Sequence, residues 1–175
     1  ARRELETLRA AVNYFHKEYG LDPVPAFTMP KKQQARTRWL TRKEAADLLR
    51  NARKTPHLAR FILIGLYTGT RSGAILKLAW MPSTEGGHID LEQGVLFRRG
   101  DGQSETKKRQ PPVKIPDRLL AHMRRWKRID GWGVDEDGKM KTGLRHVINW
   151  NGSKVLSVKK AFRSARNDAG LDKEV

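Results

Sequence analysis

The chain contains no cysteine. Disulfides, thiolate metal sites and cysteine nucleophiles are therefore excluded. Its five histidines, His16, His57, His88, His122 and His146, fall in no metal-ligand spacing such as H-E-x-x-H, so no metal is expected. No apolar run has the length and flanks needed to span or anchor in a bilayer, and no membrane partner is expected. Tyrosine is scarce and one-sided: Tyr14, Tyr19 and Tyr67 are the three, all in the first half of the chain. Each has apolar neighbours and reads as a core or interface residue. Carboxylates are also few, with 19 Asp and Glu against 36 Lys and Arg.

That imbalance, a formal charge of +17, is the strongest compositional signal. Like charge of this size opposes compaction unless a polyanion neutralises it. Nucleic acid is the partner it points to, because counterion release from phosphates drives binding by basic surfaces. No RNP-type aromatic motif or G-x-x-G clamp argues for RNA. The 175 residues suffice for one domain, or one domain plus part of another.

"ARRELETLRAAVNYFHKEYG" predicts an amphipathic helix, with Leu5, Leu8, Val12, Phe15 and Tyr19 at three- and four-residue steps and Gly20 as its stop. "LDPVPAFTMPKKQQARTR" carries three prolines and little periodicity, and reads as a linker over residues 22–37. A second helix starts at Thr41, where T-x-x-E with Glu44 predicts a capping box. "PHLARFILIGLY" predicts a third, central helix; "TGT" breaks it, and "RSGAILKLAW" starts a fourth. The period then changes. Short β-type runs at Ile89–Leu91, Val95–Arg98 and Val113–Ile115, separated by Gly94 and "GDGQ", predict a small antiparallel sheet. "DRLLAHMRRWKRI" is helical with Asp117 as N-cap, "DGWGVDEDGKMKTG" is a loop, and "LRHVINWNG" is a strand ending in a turn at Asn151-Gly152. "SVKKAFRSARNDAGL" closes the pattern with a helix ended by Gly170. The expected fold class is mainly α with a small antiparallel β-sheet.

Within the most apolar twenty residues, Phe61–Trp80, stands Arg71. A cation in the first turn of a helix opposes the helix dipole. The conflict vanishes if an anion binds there, met by the guanidinium and by the hydroxyls of Thr68, Thr70 and Ser72. Alternatively, Arg71 pairs with a carboxylate from another helix or snorkels to water.

"LYTGTRSGAILKLAW" resembles the first arginine box of the tyrosine recombinases, the phage-integrase family, which reads roughly T-G-x-R-x-x-E-hydrophobic-x-x-L-x-W. "RTRWLTRKEAADLL" is similar to the start of their catalytic domain. "IDLEQGVLFRRGDGQSETKKRQPPVKIP" is similar to the hairpin carrying their catalytic lysine, and "INWNGSKVLSVKKAFRSARNDAGL" to the segment before their second box. The resemblance implies a core DNA-binding domain whose last helix is residues 1–21, a linker at 22–37 and a partial catalytic domain at 38–175 lacking its C-terminal helices. It implies site-specific DNA transesterification through a 3′-phosphotyrosyl link, with no cofactor. Arg71 takes the role of contacting the scissile phosphate. Lys107 takes that of proton donor to the departing 5′ oxygen, with Lys108 in its place if the hairpin register shifts by one. A backbone-touching or idle loop-tip lysine is the alternative for Lys107. Double-stranded DNA is the expected partner, usually engaged by a tetramer, and the resemblance implies a cytoplasmic, nucleoid-associated protein, bacterial or phage-encoded. Lys31, Lys32, Arg36 and Arg38 on the linker, Arg98 and Arg99 on the sheet, and Lys159, Lys160 and Arg163 on the last helix are candidate backbone contacts or solvated charges.

The chain departs from the family pattern. Ala74 stands where the box has an acid, and "MPSTEGG" reads as an inserted surface loop. The second box, H-x-x-R, and the nucleophilic tyrosine are expected beyond "NDAGLDKEV" and have no counterpart in the sequence. "HLAR" (His57–Arg60) and "HMRR" (His122–Arg125) match H-x-x-R by chance and in the wrong order. The chain by itself is therefore expected to be inactive. The alternative is a non-enzymatic basic DNA-binding module with a recombinase-like fold.

Overall fold

The computed structural model describes residues 2–32, 37–104, 109–134, 140–141 and 143–172. The chain divides into two compact units, Ala1–Arg38 and Trp39–Val175. In the first, helix α1 (Arg2–Tyr19) has the predicted periodicity but no buried residue, and the stretch after it is extended. Tyr14 and Tyr19 are exposed, as is Tyr67 in the second unit, so none of the three tyrosines is a core residue.

The second unit is mainly helical with a small antiparallel sheet. Helix α2 (Arg42–Ala52) opens on the capping box: the Thr41 hydroxyl accepts from the Glu44 amide and the Glu44 carboxylate accepts from the Thr41 amide. Helix α3 (Pro56–Thr68) begins with proline, which costs no hydrogen bond in a first turn. It ends at Gly69, whose φ of 60° suits a residue without Cβ. Helix α4 (Ser72–Ile75) follows after the turn. Strands β1 (Ile89–Asp90), β2 (Val95–Leu96) and β3 (Val113–Lys114) form an antiparallel sheet in the order β1-β2-β3, with Ile89 opposite Leu96 and Leu96 opposite Val113. Helix α5 (Asp117–Ile129), the pair β4 (Gly133–Val134) and β5 (Met140–Lys141), the hairpin β6 (Asn149–Trp150) and β7 (Ser153–Lys154), and helix α6 (Lys159–Asp168) complete it. Helix α2 packs on α3 and α6, and α3 also meets α4, α5 and β6. Leu48, Leu58, Ile64, Ile75, Leu119 and Met123 fill the helical side of the core, and Ile89, Leu96 and Ile115 the sheet side.

Four local expectations change. The fourth helix stops after one turn, because Leu78, Ala79 and Trp80 are needed as extended backbone. The Ala79 amide donates to Gly87, the Ile89 amide to Ala79, the Trp80 amide to Arg145 and the Val147 amide to Leu78. This ladder joins the sheet to the segment before β6, and tertiary pairing overrides the helical periodicity. The N-cap of α5 is Pro116, with Asp117 inside the first turn, where its charge still complements the dipole. The 130–143 segment contains the β4–β5 pair. The end of "MPSTEGG" is packed rather than superficial: Gly87 is buried, and a Cβ there would collide with the Phe97 carbonyl oxygen.

One polar cluster sits inside this core. Arg60 of α3 donates two hydrogen bonds to the Asp130 carboxylate, at 2.7 and 2.9 Å, and a third to the Val147 carbonyl at 2.9 Å. The Trp80 indole donates to the same carboxylate at 2.8 Å. The Arg60 guanidinium also lies 5.5 Å from the centroid of the Trp126 ring. Arg60 is 7% exposed and Asp130 5%. A buried pair gains little over an apolar pair, but removing one partner strands the other charge at a cost of about 3–5 kcal/mol. Asp130→Ala is therefore expected to lower unfolding stability by about 3–5 kcal/mol in urea titration, and adding Arg60→Met to recover part of that loss.

Two histidines couple the fold to pH. The Nδ1 atoms of His57 and His146 are buried without a hydrogen-bond partner among the described residues. Burial lowers the His57 pKa from its ordinary 6.5. Burial, then the charges of Lys154 and Arg145, lower that of His146, against an opposing pull from Glu85. Both rings are thus held neutral in the native state, while the unfolded chain takes up protons near pH 6.5. Their contribution is complete above that pH and lost as pH falls through the lower native values. The urea midpoint is expected to drop on going from pH 7.5 to 5, with a shallower drop in His146→Gln.

Candidate functional site

The end of α3 and the turn after it are built by hydroxyls. Thr68 Oγ1 donates to the Ile64 carbonyl at 2.6 Å, which uses its one proton. The 2.6 Å contact between the Thr68 and Thr70 hydroxyls is then donated by Thr70. Thr70 in turn accepts from Arg98 Nε at 3.2 Å. The relay runs in one direction, from guanidinium through two hydroxyls to a helix carbonyl. A terminal nitrogen of Arg98 also donates to the Thr68 carbonyl at 2.6 Å. A cation there answers the negative end of the α3 dipole. Thr68 and Thr70 are buried, at 8% and 7% exposed.

Arg71 leaves this braced turn as the N-cap of α4, with extended backbone (φ −62°, ψ 143°), rather than inside the helix's first turn. Its side chain is exposed, and one terminal nitrogen donates to the Arg109 carbonyl at 3.3 Å. Arg71, Arg98, Arg109, Gln110, Ala74 and Gly69 line a cavity of about 150 Å³. No carboxylate among the described residues forms an ion pair with any of the three arginines. Burial, then the neighbouring Arg71 charge, lower the pKa of Arg98, so the two guanidinium groups feel each other. The cavity is cationic and carries no internal counter-charge from the described residues.

The other sequence-predicted residues scatter. Ser72 is exposed beside Arg71. Thr70 is part of the hydroxyl relay. Lys159, Lys160 and Arg163 are exposed on α6 and do not line the cavity. Lys31, Lys32 and Arg38 belong to the first unit, where all three are exposed. Arg36, Lys107 and Lys108 lie outside the described residues. Arg98, expected as a sheet-surface cation, is half-buried and braces the Arg71 turn. Strand alternation carries that signal, because Arg98 lies two residues beyond the buried Leu96 and so on the same face. Arg109 and Gln110 were not singled out by sequence, and their approach to Arg71 spans a separation of 38 residues for the Arg71–Arg109 contact. Among the described residues, no cluster of three His, Asp or Glu could hold a metal ion, and no helix is long and apolar enough to cross a membrane.

No family model matches the chain, and comparison with curated proteins finds no match. Among solved structures, the chain is similar to the crystal structure of XerA recombinase, with 17% identity and a TM-score of 0.56. The similarity covers 100% of this chain and 57% of that one. The chain thus spans a little over half the length of that recombinase. At this identity the likeness is one of fold: a recombinase-like α+β architecture.

Replacing Arg98 tests the brace. Arg98→Ala removes charge-assisted hydrogen bonds to Thr68 and Thr70, and is expected to cost about 1–2 kcal/mol of stability. Amide exchange at Thr70 and Arg71 should accelerate, while Arg99→Ala leaves it unchanged.

Proposed function

We propose that this chain binds double-stranded DNA and supplies part of the catalytic region of a tyrosine-type site-specific recombinase. In this reading residues 1–21 end a core DNA-binding domain, 22–37 link, and 38–175 form part of the catalytic domain. The observation that carries it is Arg71: an exposed guanidinium on a braced turn, in a cavity with two more arginines and no paired carboxylate among the described residues. The recombinase-like fold and the net charge of +17 support it.

The chemistry follows from phosphoryl transfer. A tyrosine oxygen attacks the scissile phosphorus, forming a 3′-phosphotyrosyl bond as the bond to the 5′ oxygen breaks. Negative charge grows on the non-bridging oxygens, where Arg71 stabilises it. The departing 5′ oxygen takes a proton, in this reading from Lys107. A 5′ hydroxyl then attacks the phosphotyrosyl bond, returns the tyrosine and reseals the strand. In this reading the nucleophile and the second arginine box are further parts of the catalytic region, and the complete reaction requires both.

A second reading, a non-catalytic DNA-binding module, is favoured by Ala74 in place of the box's acid and by the position of all three tyrosines before Arg71. An H-x-x-R box followed by a tyrosine in the parent coding sequence decides for the recombinase, and their absence for the module.

Both readings require salt-sensitive DNA binding. If about five phosphates are neutralised, affinity for a duplex falls roughly 500-fold between 50 and 200 mM salt. Fluorescence anisotropy measures this, and a flat profile removes nucleic acid from consideration. Arg71→Ala should reduce the log–log slope by about one. A nicked suicide substrate incubated with the chain alone is expected to yield no covalent adduct; an adduct would mean that one of Tyr14, Tyr19 or Tyr67 is a nucleophile.

A further inference from the structure

A groove of about 610 Å³ lies on the second unit between the end of α2 and one face of α5, floored by the first two turns of α3. Leu49, Pro56, Ala59, Leu63, Trp126 and Ile129 make its lining mostly apolar. The polar side chain in the floor is Arg60, and both its terminal nitrogens are spent on Asp130 and the Val147 carbonyl. Small-molecule sites orient their ligands with a few convergent polar groups. The floor residues offer no such group. Along α5, His122, Trp126 and Ile129 follow at steps of four and three, so one helix face forms a wall about 10 Å long. That length matches about two turns of another helix lying alongside. Ile129, the last residue of α5, is 64% exposed.

The polar groups stand at the rim. Arg53 at the end of α2 and Arg125 on α5 are exposed, and neither side chain has an ion-pair or hydrogen-bond partner among the described residues. His122, also exposed, stacks with the Trp126 ring at 5.8 Å. An apolar floor between unpaired cations is complementary to an apolar stripe flanked by carboxylates. A DNA backbone suits the rim but not the floor, since it has no apolar surface to cover Leu63 and Ile129. Helix α1 of a second copy has an apolar stripe, but it carries four Arg and Lys against three Glu and so has the wrong charge for this rim.

We infer that this groove is a docking site for an acidic partner protein, which lays an amphipathic helix between α2 and α5. Apolar anchors at i, i+3 or i+4 and i+7 pack on Leu63, Trp126 and Ile129, and carboxylates on the helix flanks meet Arg53 and Arg125. The net charge of +17 steers an acidic partner toward the chain. The groove shares no lining residue with the Arg71 cavity, so docking here and DNA contact there stand or fall separately.

The test titrates the whole 175-residue chain with two synthetic helical peptides of about fifteen residues. Both carry leucines at i, i+4 and i+7; one has glutamates on its flanks and the other lysines. Amide chemical shifts locate binding, and fluorescence anisotropy measures it at equal ionic strength. The glutamate peptide is expected to bind at least about tenfold more tightly than the lysine peptide and to shift the amides of Leu49, Leu63 and Ile129. Ile129→Ser, at an exposed position, should weaken that binding about tenfold while leaving thermal unfolding and duplex affinity unchanged. Reversing the rim with Arg53→Glu and Arg125→Glu should transfer the preference to the lysine peptide. No binding of the glutamate peptide at about 1 mM, shifts confined to another surface, or a preference that survives the reversal overturns the inference. The same amides report on two other occupants. Shifts that grow with chain concentration and vanish in Ile129→Ser identify a second copy, and shifts produced by duplex DNA identify nucleic acid. Either result removes the acidic partner.

Discussion

The second unit is organised around a single carboxylate. Asp130 accepts from both terminal nitrogens of Arg60 and from the Trp80 indole, while its own backbone accepts from Leu144 and donates to Trp126. Asn149 approaches at 3.4 Å. Five segments therefore meet at one buried residue: α3, the strand-like Leu78–Trp80 stretch, the end of α5, the return at Leu144 and the β6 hairpin. None of these contacts is large alone. Together they leave the carboxylate few alternatives, because any segment that shifts exposes a buried charge to an apolar core.

From that anchor the route to the candidate site is short. Helix α3 carries Arg60 and ends at Thr68 and Gly69. Fixing the helix at Arg60 fixes the direction in which its last turn leaves. Arg98, reaching across from the end of β2, then ties the Thr68 carbonyl and the Thr70 hydroxyl. Arg71 emerges from backbone held on both sides, and the exposed charge sits on a rigid support.

Local signals in the sequence were legible wherever the determinant is local. The Thr41–Glu44 capping box and the Asn151-Gly152 turn, with positive φ at both residues, follow from side chains and backbone within four positions. The small sheet and the mainly helical class follow from the change of period. What escaped has distant partners. "HLAR" reads as a chance H-x-x-R match, and nothing nearby marks Arg60 as the partner of a carboxylate 70 residues on. Leu76–Trp80 reads as a continuing helix, because its pairing partners lie at Gly87 and Arg145. The cavity escaped likewise: Arg71 is conspicuous among apolar neighbours, whereas Arg98 reads as a sheet cation with no marked partner and Arg109 as one cation among thirty-six.

Two arginines on either side of the same helix end show how the fold treats charge. Arg60, at 7% exposure, is matched by a carboxylate on both donor nitrogens. Arg71, eleven residues on, is exposed, and no carboxylate among the described residues pairs with it. The difference follows from solvation. A guanidinium sealed in the core needs an internal counter-charge, whereas water can stabilise one at the surface. The chain can therefore hold cations ready for an external anion only where water reaches them. An anion arriving there displaces water rather than filling a dry socket, and each arginine acts through a high dielectric. Binding strength must then come from several cations acting on the same oxyanion. That is why three arginines lining one cavity matter more to the candidate site than the position of Arg71 alone.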